Sequence, residues 1–308
     1  MLLDPRLAVL LAATLWGTTG TARALGPDDA SPTAVGAARL VVGGACLVLV
    51  GWRLGWLSRD TATRTQGRAA RDATRSPAFL AAVAAMVAYQ PLFFGGVART
   101  GVAIGTMVGI GSSPVFAGAL GIVARGERPG RRWLAATALA VAGTLLLAGA
   151  GDRDDVDLAG LALALGAGFA YAIYVLATKL LLDRGSRPEA LTARVFGLAG
   201  LVLLPVALAA GIGPLLSPAG LLMVAHLGIV TVAVAYVLFT RGLTGVGVAA
   251  AGTLTLAEPA TATVCGVAIL GERPDGAALA GLALVAAGIV LLVTSRRRQR
   301  VAVDASGS

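Results

Sequence analysis

Apolar residues occur in long runs that recur from one end of this chain to the other. A hydrocarbon core about 30 Å thick requires about 20 apolar residues of helix to cross it. Ten runs have roughly that length, at 7–23, 33–52, 78–98, 100–124, 133–151, 158–178, 189–211, 218–240, 246–270 and 276–295. Because lipid offers the backbone no hydrogen-bond partners, these runs are predicted to be helices. The pattern indicates an all-α membrane protein with ten transmembrane helices.

Composition excludes a soluble domain. Apolar residues make up 57% of the chain and charged residues only 13%, whereas soluble domains carry about 25% charged residues. The two cysteines, Cys46 and Cys265, both lie inside apolar runs. Their placement indicates neither a disulfide framework nor a metal site, and no cofactor is predicted.

The basic residues are distributed unevenly between the predicted loops. With the N-terminus placed inside, 19 of the 25 Lys and Arg residues lie in inside segments, four lie outside and two lie within spans. This positive-inside bias predicts that both termini are cytoplasmic. The net charge of +9 is therefore a topology signal, and no nucleic-acid partner is predicted.

The second half of the chain repeats features of the first. Glu127 of Gly126-Glu127-Arg128-Pro129 lies thirteen residues after Pro114, and Glu272 of an identical motif lies thirteen residues after Pro259. Further pairs recur in the same order: Ala38–Arg39 with Ala193–Arg194, Val87–Tyr89 with Val234–Tyr236, and Thr100–Val102 with Thr244–Val246. Both glutamates are expected to cap loops or form ion pairs at the membrane edge.

An odd number of spans in each half inverts the second half relative to the first. The predicted units are two five-helix repeats, at 7–151 and 158–295, followed by a basic cytoplasmic tail at 296–308. Inverted repeats are typical of secondary transporters that alternate access around a site near the membrane midplane. The partners predicted on this basis are a small-molecule substrate and the lipid bilayer.

These motifs also resemble those of the EamA family in the drug/metabolite transporter superfamily. The resemblance rests on Trp16-Gly17, on the tyrosines of spans three and eight, and on the prolines and Gly-Glu-Arg motifs of spans four and nine. It covers nearly the whole chain and implies two EamA repeats in a bacterial inner-membrane transporter that is not an enzyme. Tyr171-Ala172 departs from the Trp-Ala that many members have. The run Ala257–Ala260 is similar to amino-acid exporters, the threonine/homoserine branch included, which implies export of amino acids or related metabolites.

Glu258 is the main candidate for a transport residue. It lies near the middle of the ninth run, where an unpaired charge costs several kcal/mol. A proton-coupling or substrate-amine role is one interpretation. A protonated side chain bonded to a neighbouring helix is the other. The aligned residue in the first half is Ser113.

Polar-tipped side chains deep in the other spans form a second group of candidates. They could line an amphipathic substrate pathway or serve helix packing. The group consists of Trp16, Tyr89, Gln90, Tyr171, Tyr174 and Tyr236.

Three further features each allow two interpretations. Pro114 and Pro259 remove helical hydrogen bonds at matching depths and predict either gating helices or fixed kinks. Arg39 is expected to extend towards the headgroups, with a role at a substrate carboxylate as the alternative. The series from Gly101 through Gly105 to Gly109 allows close helix approach, either within the chain or in a homodimer.

Two other functions are weighed against export. A nucleotide-sugar exchanger, or an importer of another small metabolite, would need cationic groups that converge on phosphates. A membrane-embedded enzyme acting on lipid-linked substrates would need paired carboxylates, metal-binding histidines or a serine–histidine pair. Since the chain has one histidine and one midplane carboxylate, no catalytic residue is predicted.

The predicted topology can be tested by cysteine labelling of intact cells. After replacement of Cys46 and Cys265 by Ala, a membrane-impermeant maleimide should label Asp154→Cys, because the acidic loop that carries Asp152, Asp154, Asp155 and Asp157 is predicted to lie outside. It should label Arg64→Cys only after permeabilisation. The reverse pattern would contradict the assigned orientation.

Overall fold

The computed structural model describes residues 3–57, 74–148, 157–271, 273 and 276–306. Within these ranges the regular structure is helical and contains no strand, which confirms the all-α prediction. The helices are α1 (Pro5–Gly17), α2 (Thr19–Ala24), α3 (Pro32–Arg53), α4 (Pro77–Arg125), α5 (Arg131–Ala148), α6 (Leu158–Asp183), α7 (Pro188–Ala209), α8 (Pro218–Ala225), α9 (Ala235–Leu243), α10 (Val248–Leu254), α11 (Ala257–Leu270) and α12 (Gly276–Ser306). A π-helical segment, His226–Val234, joins α8 to α9.

Eight helical segments among the described residues are long and apolar enough to cross a membrane. They are Pro32–Arg53, Pro77–Gly101, Val108–Arg125, Leu158–Asp183, Pro188–Ala209, Pro218–Leu243, Val248–Leu270 and Gly276–Thr294. The runs predicted at 7–23 and 133–151 are not among them. The arrangement as ten spans therefore stays a prediction.

The first predicted span is divided at Thr18. The backbone N–H of Thr18 donates to the Leu15 carbonyl at 3.2 Å, and its hydroxyl donates to the same oxygen at 2.7 Å. Such a local side-chain hydrogen bond competes with continuation of the helix. Two short helices, α1 and α2, therefore replace the single predicted one. In the fifth predicted span, residues 149–151 lie outside the described part of the chain.

Several helix starts follow directly from the sequence. Ser31, Ser76 and Ser217 each accept a hydrogen bond from a backbone N–H three residues later, at 3.1–3.2 Å, and each is followed by a proline. A serine cap satisfies one free donor, and proline fits the first helical position because it needs none. Asp157 caps α6 in the same way, and the N–H groups of Gly160 and Ala159 lower the pKa of its carboxyl.

The third and fourth predicted spans meet inside α4 without a loop. Gly101 has φ +81° and ψ 161°, a conformation that side chains disfavour, and it separates the limbs Pro77–Gly101 and Val108–Arg125. The predicted boundary between residues 98 and 100 therefore lies next to the observed kink.

Glycines bring the principal helix pairs into backbone contact. α3 packs on α7, α4 on α6, α5 on α12, and α1 on α9. A Cβ atom on Gly44 would lie 2.3 Å from the Phe196 carbonyl oxygen, and one on Gly200 would lie 2.7 Å from that of Leu40. Small residues of this kind allow close packing where lipid supplies no hydrophobic drive between helices.

The glycine series of span four contacts its own chain. A Cβ atom on Gly105 would meet the backbone of Val97 at 2.7 Å, and one on Gly109 would lie 3.4 Å from the Phe93 ring. These contacts correspond to the internal-packing interpretation of Gly105 and Gly109.

Substitution of Gly44 tests the α3–α7 contact. Because the added methyl has no space, Gly44→Ala should destabilise the protein by about 1–3 kcal/mol and lower its apparent Tm in detergent. Gly20→Ala is the matched control, since a Cβ atom there would meet nothing within 4 Å. Equal apparent Tm values for the two variants would show that the contact is unimportant for stability.

Candidate functional site

An open cavity with about 550 Å³ of space free of protein atoms lies between helices from both halves of the chain. Five of its twelve lining residues are aromatic, and the others include an arginine and a glutamate. The lining residues are Trp16, Thr19, Arg39, Tyr89, Phe93, Gly109, Ile110, Ser113, Tyr171, Tyr236, Thr255 and Glu258.

The structure brings six of the eight predicted pathway residues to this cavity: Trp16, Tyr89, Ser113, Tyr171, Tyr236 and Glu258. Gln90 and Tyr174 are buried but are not part of the lining. The Tyr174 ring packs edge-on against Phe196 with centroids 5.9 Å apart, which corresponds to the packing alternative.

Aromatic rings form one wall of the cavity around Trp16. Its ring lies 4.8 Å from that of Tyr236 and 6.1 Å from that of Tyr171, centroid to centroid. Its indole N–H donates to the Thr231 carbonyl at 2.9 Å. Aromatic pairs at these spacings stabilise one another beyond their burial. The wall is therefore held in place by its own contacts while it lines the cavity.

Glu258 lies where the ninth predicted span is interrupted. Tight turns follow α10, with Leu256 N–H donating to Thr253 and Glu258 N–H donating to Thr255 at 3.2 and 3.0 Å. The ninth predicted span, 246–270, is thus present as the membrane-length segment Val248–Leu270, but this turn divides it into α10 and α11. Glu258 occupies the first turn of α11, where the helix dipole favours a carboxylate.

The two predicted kink prolines have different local settings. Pro259 lies in the first turn of α11, where a missing N–H leaves no helical bond unmade. Pro114 lies inside α4, and the Ile110 carbonyl that it frees accepts the Ser113 hydroxyl at 2.7 Å. Ser113 thus compensates for the proline from the cavity wall.

The position of Arg39 differs from the expectation that its side chain extends towards the headgroups. Only 9% of the residue is exposed, and it faces the cavity and not the headgroups. Its guanidinium carbon lies 5.9 Å from the centroid of the Phe94 ring, and its Nε has no hydrogen-bond partner. A charged side chain inside a span can face a cavity in the protein interior instead of extending to the membrane surface. Arg194, at the same position of the second half, is not part of the lining.

Some features of the site could not be predicted from the sequence. The π-helical segment His226–Val234 presents the Thr231 carbonyl to Trp16, yet its residues form an ordinary apolar run. Phe93 and Ile110 line the cavity but are indistinguishable in sequence from lipid-facing residues. Arg39 had a usable signal, since it is a charge placed inside a predicted span.

A cluster of four charged side chains, Arg125, Glu127, Lys179 and Asp183, lies at the ends of α4 and α6 and is called here the charge cluster. Arg125 pairs with Asp183 at 2.6 Å and with Glu127 at 3.5 Å, and Lys179 pairs with Asp183 at 3.2 Å. Its members come from both halves of the chain. The topology prediction places it on the cytoplasmic side.

The charge cluster also holds the turn between α9 and α10. The Glu127 carboxylate accepts the backbone N–H groups of Val248 and Ala249 at 2.9 and 3.2 Å. The Lys179 ammonium donates to the Leu243 carbonyl at 2.9 Å. Glu127 therefore both caps a helix and forms an ion pair, as predicted, whereas Glu272 lies outside the described residues.

Candidate metal ligands are not clustered in the described part of the chain. Among the described residues, no group of three or more His, Cys, Asp or Glu side chains could hold a metal ion.

Removal of the Glu127 carboxylate tests the cap on α10. Glu127→Ala leaves two backbone donors without their charged acceptor and should cost about 1–3 kcal/mol. Glu189→Ala is the control, because Glu189 forms an ion pair with Arg241 at 2.7 Å but caps no helix of the other half. Its cost should be at most about 1 kcal/mol. Equal losses of thermal stability would contradict a special role for the cap.

Solved structures include one with the same overall fold. A crystal structure superimposes with a TM-score of 0.79, covering 96% of this chain and 98% of the other, at 20% sequence identity. This similarity concerns the fold alone.

Sequence relatives are transporters by name. The chain is 40% identical to the uncharacterized transporter YwfM of Bacillus subtilis, over 96% of each protein. It is 33% identical to the threonine/homoserine exporter RhtA of Salmonella typhimurium, over 53% of this chain and 55% of that protein. The model of the EamA-like transporter family matches residues 6–149 and again residues 158–294. The resemblance noted from the motifs is thus confirmed, and the chain belongs to the EamA-like transporter family.

Proposed function

We propose that this protein exports amino acids or related small metabolites across the bacterial inner membrane by alternating access, with the substrate bound in the cavity between Trp16 and Glu258. The main support is that cavity itself. It combines an aromatic wall with the buried cation of Arg39 and the half-buried anion of Glu258, and both charges lie on helices that are long and apolar enough to cross a membrane. Such a site suits a small amphipathic solute.

Helix packing supports two inverted five-helix repeats at 7–151 and 158–295. The α3–α7 pair joins the second and seventh predicted spans, and the α5–α12 pair joins the fifth and tenth. Each pair therefore joins the same position of both repeats. The α1–α9 and α4–α6 pairs are related in the same way, since they join spans one with eight and three with six. This pattern is expected for two halves related by a pseudo-two-fold axis.

The charge cluster is suited to act as the cytoplasmic gate. It links Arg125 and Glu127 of the first half to Lys179 and Asp183 of the second. Rocking of the halves that opened the cavity to the cytoplasm would have to separate these groups. Because the pairs are partly exposed, they can exchange protein partners for water at modest cost.

Other activities fit the cavity less well. A nucleotide sugar would present phosphates to a lining in which Arg39 is the one cationic residue described, opposite the Glu258 carboxylate. Chemistry on lipid-linked substrates would need a second carboxylate or a histidine, and the described lining has neither. The name of RhtA supports amino acids as the substrate class and export as the direction.

Export can be measured as metabolite loss from cells that overproduce the protein. One or a few amino acids should appear in the medium faster than from cells with an empty vector. Protein carrying the control substitution Glu189→Gln should export at the wild-type rate. No change across a broad metabolite panel, with the protein present in the membrane, would contradict export.

Glu258→Gln tests whether this residue couples transport to protons. In liposomes with an imposed pH gradient, the variant should lose gradient-driven accumulation while equilibrium exchange of substrate continues, because Gln cannot release a proton. Unchanged accumulation in the variant would exclude proton coupling through Glu258. It would leave facilitated movement as the mechanism.

A further inference from the structure

Two opposite charges face the same cavity without contacting each other. Arg39 comes from α3, in the first half, and Glu258 comes from the first turn of α11, in the second. No N···O distance of 4.0 Å or less joins their side chains. Among the described residues, the Arg39 Nε is buried without a hydrogen-bond partner, and Glu258 is half-buried beside the cavity. The Tyr171 hydroxyl in the same lining is also buried without a partner.

A buried charge such as Arg39 and a half-buried one such as Glu258 both require compensation inside a predicted membrane span. An ion withdrawn from water costs several kcal/mol unless it is paired, and buried polar atoms almost always have partners. A purely structural ion pair would be expected to close to direct contact. Two charges held apart across a cavity instead match a ligand that brings both opposite charges with it.

Local packing holds the two charges in their places. The Phe94 ring lies under the Arg39 guanidinium and against Gly36, one turn earlier in α3, where a Cβ atom would lie 2.2 Å from the ring. Glu258 is held by the tight turn before α11, through the hydrogen bond from its N–H to the Thr255 carbonyl. The Arg39 guanidinium and the Glu258 backbone are therefore each positioned by contacts within their own half of the chain.

We propose that Arg39 and Glu258 bind the two ends of a zwitterionic substrate. The guanidinium binds the carboxylate, for which its planar fork is suited, and the Glu258 carboxylate binds the ammonium group. The aromatic wall around Trp16 contacts the remainder of the molecule. This inference rests on the proposed function and identifies its substrate class as free amino acids, with both ends unmodified.

The two repeats contribute unequal residues to this arrangement, so the cavity has a positive end and a negative end. Ser113 occupies the position in the first half that Glu258 occupies in the second. Its hydroxyl donates a hydrogen bond to the Ile110 carbonyl. Arg194 occupies the position of Arg39 in the second half and lies outside the lining. A substrate therefore binds in one orientation only, and a solute with a single charged end leaves the other protein charge unpaired.

The test compares ligands that differ at one end. Full-length purified protein in lipid nanodiscs is titrated with the twenty amino acids. The tightest binder is then compared with its methyl ester, which lacks the carboxylate, and its N-acetyl derivative, which lacks the ammonium group. Each modification should weaken binding to the wild type at least about tenfold, because it leaves a buried charge unpaired. Binding of all three forms within threefold would overturn the proposal without any variant.

Charge-removing variants assign the two ends. Arg39→Gln should lose the preference for the free acid over the ester and keep the preference for the free amine over the N-acetyl form. Glu258→Gln should show the opposite pattern. Arg194→Gln is the matched control and should keep both preferences. If Arg39→Gln and Glu258→Gln weaken all three ligands by the same factor, the residues act structurally and the assignment is wrong.

Two further outcomes separate this inference from the proposed function. Binding with both preferences, but no efflux from cells or liposomes, would contradict export and leave the zwitterion site standing. Efflux of a solute for which neither preference is found would contradict the zwitterion site and leave export standing. If Arg39→Gln fails to fold, Arg39→Lys retains the charge and should keep part of the acid preference. Loss of the amine preference as well would count against the assignment.

Discussion

The cost of an unsatisfied polar group in hydrocarbon governs the structure of this protein. A backbone carbonyl or side chain in the membrane must find its partner within the protein, because lipid supplies none. The Ser113 hydroxyl accordingly donates to the carbonyl freed by Pro114, and the indole N–H of Trp16 donates to a carbonyl of the π-helical segment. The Nε of Arg39 is buried without such a partner among the described residues, and it faces the same cavity as the oppositely charged Glu258.

The same constraint separates rigid contacts from adjustable ones. Glycines such as Gly44 and Gly200 bring the backbones of α3 and α7 so close that the pair packs as a unit. Adjustable elements lie elsewhere, at the Gly101 kink and at the turns before Glu258, where helical hydrogen bonding is already interrupted. A transporter of the proposed type would change conformation at such interruptions and keep its packed pairs intact.

Charges outside the hydrocarbon follow different rules from the two inside it. The charge cluster can rely on water at its exposed edge, so its pairs can form and break at small cost. Arg39 and Glu258 do not lie at such an exposed edge. Their partner can be only a ligand or water that enters the cavity. This difference suits the cluster to gating and the buried charges to recognition.

The sequence by itself determined the membrane class, the helical content, the repeated motifs and half of the residues that line the cavity. These follow from rules that act locally or along the chain: apolar length, serine and proline at helix starts, and the depth of polar residues within a run. Tertiary structure alone decided which polar residues share one space. Arg39 faces the cavity with the Phe94 ring against its guanidinium. Tyr174 packs on Phe196 instead, and Gln90 is buried outside the lining. Burial and partner choice depend on helices distant in sequence, and the spacing of residues along one helix does not contain that information.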